Sequence, residues 1–367
     1  MEEPSNENQR DGVRVLFALA SIVIIIGGLK AAAPLLVPVV LAFFLSVLSL
    51  PILRVLRTWG VPRFAAVLLT IVVDVGIISP IALVSFNLVN EFQGKVNDYQ
   101  YKITTKTEEW RTRFEEEHNM KFELEQEKIN QYIEGGVKQL LTFLGKTIGV
   151  AKDFVFIVIV MIFFLAEAGG FRRKLAAIHR ARGPDLERFQ STAKDLQKYL
   201  GIKTAISTIT AILAGLLTWA LDVNFPVLWA LVAFIFNYIP AIGSIIASFP
   251  PAILALVDHS PTTALFVLLG YLFINMVLGN FIEPMLMGQR FGLSTSVVIL
   301  SVLFWGWVWG LVGMFLAVPL TMVVKVVLDH SEDLQWLALA MGKREEVLAA
   351  DALAEPAEPV EPAGEEG

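Results

Sequence analysis

Apolar positions in this chain fall in long unbroken blocks, not in the narrow stripes of a soluble domain. Blocks at 15–29, 31–53, 64–89, 147–166, 202–221 and 262–282 each approach the roughly twenty residues that carry a helix across a bilayer. Short polar stretches with Lys30, Arg54, Arg57 and Arg63 separate the first three. Two further blocks, 226–257 and 297–330, exceed one straight crossing and are interrupted from within. The first holds Asn237, Pro240, Gly243, Pro250 and Pro251, and the second holds Gly310, Gly313 and Pro319. Proline removes a backbone donor and clashes with the preceding turn, so both blocks are expected to break inside the membrane. Freed carbonyls are tolerated at that depth only where protein or a water-filled cavity surrounds them.

The two broken blocks resemble each other. "IGSIIASFP" at 242–250 aligns with "VGMFLAVP" at 312–319 with one residue's slip, each block is preceded by an ordinary span, and each is followed by Asp-His-Ser. This predicts a duplicated unit of span plus broken segment. If each broken segment returns to the side it left, the two units have opposite orientation, the inverted repeat of secondary transporters. A single kinked crossing for each segment is the rival topology, and span parity does not choose between them.

Charge orients the chain. Residues 171–200 hold eight bases against three acids, so the positive-inside rule assigns them to the cytoplasm, with the 54–63 loop and Arg10 and Arg14. Simple alternation then puts the stretch 91–138, with eleven acids and eight bases, outside. That stretch has no proline and is rich in helix formers, so it reads as a helical, water-exposed insert. The fold class expected is an all-α polytopic membrane protein with about eight membrane segments. Two of these are broken or re-entrant in an inverted repeat, and a charged helical extracytoplasmic insert is added. Its parts are a polar tail (1–12), spans one to three (13–89), the insert (90–146), span four (147–168) and a basic cytoplasmic loop (169–200). Repeat one (201–260), repeat two (261–330) and a C-terminal part (331–367) follow. The last begins with an amphipathic piece near Trp336 and ends in an acidic, proline-rich tail without periodicity, expected to be disordered.

Composition agrees: 55% of residues are hydrophobic and 17% charged, with mean hydropathy +0.64. No small-residue cleavage site follows the first block, so it is expected to be a retained span. The absence of cysteine excludes disulfides, thiolate metal sites and cysteine nucleophiles. The four histidines are dispersed, and no HExxH, GxSxG or phosphate-binding loop occurs, so no enzyme activity and no cofactor or metal is expected. The Asp-His-Ser tripeptides read as interfacial caps, since adjacent residues do not make triad geometry. No basic stripe with interleaved aromatics points to nucleic acid.

"LWALVAFIFNYIPAIGSIIASFPPAILAL" and "NFIEPMLMGQRFGLSTSVVILSVLFWGWVWGLVGMFLAVPLTMVVKV" resemble the two signature blocks of the autoinducer-2 exporter family. The matching residues are Asn237, Pro240, Gly243 and Pro250, then Asn280, Pro284, Gly288, Gly310, Gly313 and Pro319, and the plan of spans matches from about 13 to 330. Ser294-Thr295 departs from the proline that relatives often carry there. The resemblance implies a transporter exporting a small polar, autoinducer-2-like solute across the bacterial cytoplasmic membrane by alternating access around the broken segments. Both termini would be cytoplasmic. It also implies a homo-oligomer, a pentamer being one candidate, and some relatives are associated with sodium/proton exchange. The expected partners are therefore the lipid bilayer, a polar solute, and Na+ or H+. The alternatives are a sodium/proton antiporter of the same family, or a non-transporting scaffold or sensor acting through the insert.

Polar side chains at membrane depth are the path candidates. Asp74, midway in span three, is a proton or cation site or a packing group paired with a hydroxyl. Thr204 and Thr208 share a face of span five with Gly215 and Thr218, which serves close helix packing or a path. Asn237, Asn275 and Asn280 can bind a polar solute or the carbonyls freed by the breaks. Glu283, beside Pro284, is a functional acid or a surface cap. Lys203 is expected to snorkel to the interface, and Lys325 to anchor there. The expected backbone breaks are Pro240, Gly243, Pro250, Pro284, Gly310, Gly313 and Pro319.

Overall fold

The computed structural model describes residues 5–118, 131, 135, 142, 153–182, 185–240, 242–287, 293–329, 331 and 334–342. Among them the regular structure is helical throughout. Helix α1 is Ser5–Ala31, α2 Ala33–Thr58, α3 Arg63–His118, α4 Phe154–Arg182 and α5 Asp185–Ala220. Then come α6 Pro226–Asn237, α7 Gly243–Asp258 and α8 Pro261–Asn275, which runs through a π-helix at Met276–Ile282 into α9 Glu283–Met287. Helix α10 is Thr295–Asp329 and α11 Gln335–Ala340. Gly288, Arg290, His330, the acidic tail and most of 119–152 lie outside the described residues.

Among the described residues, five helical stretches are long and apolar enough to cross a membrane: Ala33–Thr58, Arg63–Arg113, Lys194–Ala220, Pro261–Met287 and Thr295–Asp329. Shorter apolar helices lie at Leu19–Ala31, Phe154–Ala168, Pro226–Asn237 and Gly243–Asp258. Large apolar side chains such as Phe17, Ile24, Phe163, Leu272 and Phe273 stand exposed on these helices, an arrangement water penalises and lipid accepts. The fold is a multi-pass membrane protein.

Helix α3 changes the picture of the insert. Its 56 residues form one rod of about 84 Å, more than twice a bilayer's thickness, so the charged stretch begins as a direct extension of the third apolar helix. At the other end of the bundle, Arg63 donates to the Ala166 carbonyl and Arg54 Nη2 donates to Gln197 Oε1 at 3.1 Å. These bonds gather the α2–α3 loop, the end of the apolar part of α4 and the start of α5.

The two interrupted blocks fold back on themselves. Asn224 Nδ2 donates to Asp258 Oδ2 at 2.8 Å across 34 residues, and His259 Nε2 lies 2.8 Å from the Asp222 carbonyl oxygen. A straight helix of that length would separate them by about 51 Å. We call α6, α7 and the residues that join them hairpin A. Likewise Trp305 Nε1 donates to Thr321 Oγ1 at 3.0 Å although 16 residues, about 24 Å of straight helix, lie between them. Helix α10 reverses at Gly310, whose φ of 63° and ψ of −140° suit glycine, and forms hairpin B.

The breaks are fewer than the sequence predicts. Pro240 lies in the turn of hairpin A, and Gly310 makes that of hairpin B. Pro250 and Pro319 lie inside helices, as do Pro38, Pro51, Pro80 and Pro251. Proline's φ is already helical, and one lost backbone bond is tolerable where neighbours pack the helix on both sides. Gly243 and Gly313 are helical too, and their role is close approach. A Cβ on Gly243 would sit 1.8 Å from the Phe236 carbonyl oxygen, and one on Gly313 1.9 Å from that of Trp305. Pro284 sits in the first turn of α9 and has no N–H to offer the carbonyl four residues back, just where the wider π-helix ends.

Between the hairpins runs the stretch Pro261–Met287, whose 27 residues span about 40 Å. Ser260 starts it: its hydroxyl accepts from Thr263 N at 3.2 Å, with Pro261 in the first turn. One end of this rod therefore adjoins the root of hairpin A, and Met287 at the other packs in one apolar cluster with Leu293 and Val297 beside hairpin B. Three apolar clusters hold the bundle. One joins α2, α3 and α4 around Ala42, Ile71 and Met161. A second packs the start of α5 and α2 against hairpin B around Leu200, Phe44 and Leu316. The third ties the outer part of α3 to hairpin A, α8 and hairpin B around Phe92, Trp229, Val267 and Trp305.

Candidate functional site

Helix α5 presents a buried face of small and polar residues. Lys203, Ser207, Thr210, Ala214 and Thr218 recur at three- and four-residue spacing, and all are buried. Small side chains there let hairpin A approach closely. The face is offset from the one the sequence predicts: Thr218 belongs to it, Thr204 borders it half-buried, and Thr208 is exposed and only donates to the Thr204 carbonyl at 2.8 Å.

The tip of hairpin A docks on this face. Asn237 Nδ2 donates to Ser207 Oγ at 2.9 Å in a buried contact. The next residue, Tyr238, brings its hydroxyl 2.6 Å from Thr204 Oγ1. Its ring stacks on Phe315 of hairpin B, with centroids 4.1 Å apart. The two hairpins thus meet at Tyr238, one turn from a buried charge. Lys203 is only 4% exposed, against the expectation that it snorkels, and its Nζ lies 2.7 and 2.8 Å from the two oxygens of Glu283. Lys203 faces inward because the neighbouring rod supplies a carboxylate at its level. The π-helix ends just before Glu283, and such widened turns recur at functional positions.

These contacts gather polar groups of α5, hairpin A and the π-helix junction along the Lys203–Ser207 turn of α5, with the Phe315 ring of hairpin B against Tyr238. Buried charges persist only when paired and hydrogen-bonded, which the bidentate geometry achieves. Thr210, one turn beyond Ser207, keeps a buried hydroxyl with no hydrogen-bond partner among the described residues. Chemically the cluster offers a cation, a carboxylate, hydroxyls and an amide beside an aromatic face. These are groups that exchange partners with a small polar solute. Among the described residues no group of three or more His, Asp or Glu could hold a metal ion.

Of the predicted path residues, Thr204, Asn237 and Glu283 come together. Asp74 stays apart, half-buried on α3 beside Ser49 of α2, with its Oδ2 buried and unpartnered among the described residues. Asn275 turns back on its own helix: its Oδ1 lies 2.8 Å from where a Cβ on Gly279 would stand. Asn280 is exposed. Nothing in the sequence by itself marks Ser207, Tyr238 or Phe315 as site residues. The available signals are indirect: the spacing of Lys203 and Ser207 on one helical face and the adjacency of Tyr238 to Asn237.

Asn237→Ala leaves Ser207 buried without its partner, which should cost about 1–3 kcal/mol. The expected result is a lower thermal midpoint in detergent, with Thr208→Ala, on the exposed side, as the unchanged control.

Residues 19–333 match the model of the AI-2E family transporter. A Haemophilus influenzae protein named "Putative transport protein" is 34% identical over 348 residues, covering 91% of this chain and 97% of that protein. The AI-2 transport protein TqsA of Escherichia coli strain K12 is 34% identical over 335 residues, covering 90% of this chain and 96% of its own length.

Proposed function

Because the chain belongs to the AI-2E transporter family, we propose that it is a secondary transporter exporting a small polar solute across the bacterial cytoplasmic membrane. The observation that carries this reading is the buried polar cluster at the meeting of two helical hairpins. Ionisable and polar groups are costly inside a membrane, and where they gather they characteristically mark a solute or ion path. The name of the relative TqsA supports an autoinducer-2-like solute.

In this reading hairpins A and B are re-entrant, A rooted outside and B in the cytoplasm. A membrane-length rod between the roots supports that arrangement, and the basic 54–63 loop beside the base of α5 supports a cytoplasmic N-terminus. Alternating access follows from rocking one repeat against the other about the Tyr238–Phe315 contact.

Liposomes loaded with labelled autoinducer-2 should release it faster when they carry the purified protein than when they are protein-free. The Lys203→Met variant, fully incorporated, should fall to the protein-free rate. Equal release from wild-type and protein-free liposomes counts against the reading. A second reading, sodium/proton antiport, is favoured by the titratable pair Lys203–Glu283 in the cluster. It requires sodium-dependent pH change in the same vesicles without added solute.

A further inference from the structure

Hairpin A springs from a turn with unusual backbone. Asp222 and Phe225 both have positive φ, 56° and 63°, although neither is glycine. Left-handed residues of this kind persist only where surroundings over-determine them, and they gather at clamps and switches. Here the surroundings come from the extension of α3. Phe92 packs edge-on against both Phe225 and Trp229, with centroids 5.6 and 5.9 Å away, and Lys95 Nζ lies 4.9 Å over the Phe225 ring.

The returning end of hairpin A is held by the same helix. Lys102 Nζ donates to Asp258 Oδ1 at 2.8 Å while Asn224 takes Oδ2, so both carboxylate oxygens are claimed from different elements. Lys106 Nζ donates to the Leu256 carbonyl at 3.5 Å. Burial works against the Asp258 charge, but hydrogen bonds from Lys102 and Asn224 outweigh it and hold the carboxyl below its ordinary value. An exposed ion pair alone contributes little. What distinguishes this one is that it closes an aromatic-backed root on both of its helical arms.

We propose that the charged extension of α3 is a clamp on the root of hairpin A, and that its release sets the rate at which the hairpin moves during transport. The proposal rests on the transport reading above and assigns the insert a regulatory role within it. Its elements act together: the rings fix the outgoing arm at Phe225, and Lys102 fixes the returning arm at Asp258. Moving hairpin A away from α5 while α3 stays on α2 and α4 requires both holds to yield.

The naturally cysteine-free chain allows a direct test with Lys102→Cys and Asp258→Cys together. Joined by a short bifunctional thiol cross-linker that a reductant cleaves, the pair should cut solute flux by about tenfold or more, with recovery on reduction. Each single cysteine removes the Lys102–Asp258 hold without adding a link, so under the same treatment it should transport faster than wild type. Unchanged flux in fully cross-linked protein overturns the clamp and leaves the transport reading standing. Absent flux in both wild-type and reduced protein overturns the transport reading instead. The clamp is then judged by amide exchange: Lys102→Ala with Phe92→Ala should speed exchange at 222–226 and 256–260 by about tenfold over wild type. Unchanged exchange there rejects the clamp independently of any flux.

Discussion

Gly243→Ala and Gly313→Ala are each expected to abolish transport and to lower the yield of folded protein sharply. The reason is geometric. An added Cβ would stand 1.8 Å from the Phe236 carbonyl oxygen and 2.7 Å from its carbon in one hairpin, and 1.9 and 2.6 Å from the matching atoms of Trp305 in the other. These are main-chain atoms of the facing arm, so no rotamer change relieves the overlap and the turn itself must open. Backbone displacement of this kind belongs with the most destabilising substitutions, about 4 kcal/mol or more. Gly76→Ala is the control: nothing lies within 4 Å of its Cβ, and helix propensity favours the change by about 0.5–1 kcal/mol. Size-exclusion profiles and thermal midpoints in detergent measure the difference.

The second large effect falls on the ion pair. Lys203→Met or Glu283→Gln alone strands one buried charge, a loss of about 3–5 kcal/mol. Removing both together, Lys203→Met with Glu283→Leu, should return stability close to wild type, because well-packed apolar replacements of buried pairs are often neutral. Transport should not return with it. Thermal midpoints of the singles and the double, set beside solute flux of the double, separate two roles. A stable double variant without flux assigns the pair to the path, while one with normal flux makes the pair structural.

Much of this architecture was legible in the sequence. The apolar blocks mark the membrane helices, and the excess length of 226–257 and 297–330 marks the two hairpins. The two turns themselves differ by one residue: Gly243 meets Phe236 seven residues back, and Gly313 meets Trp305 eight back. Proline misled where it sits in packed helices, as Pro250 and Pro319 show, because sequence alone does not reveal which helices have neighbours to absorb a lost bond. The site was half legible. Thr204, Asn237 and Glu283 stood out as polar groups in apolar surroundings. Lys203 was read as interfacial because nothing local to it reveals the acid 80 residues away that turns it inward. Tyr238 and Phe315 look like ordinary apolar content until the hairpins bring them together. Asp74, conspicuous in the sequence, joins neither hairpin.

Two hairpins rooted on opposite faces of the membrane are the premise of the transport account, and single cysteines introduced at their roots test it most directly. Labelled with an impermeant thiol reagent in intact cells, Asn224→Cys and Asp258→Cys should both react from outside, whereas Thr295→Cys and Asp329→Cys should react only after permeabilisation. Reaction of positions 224 and 258 from opposite faces, or of all four from one face, would contradict the account.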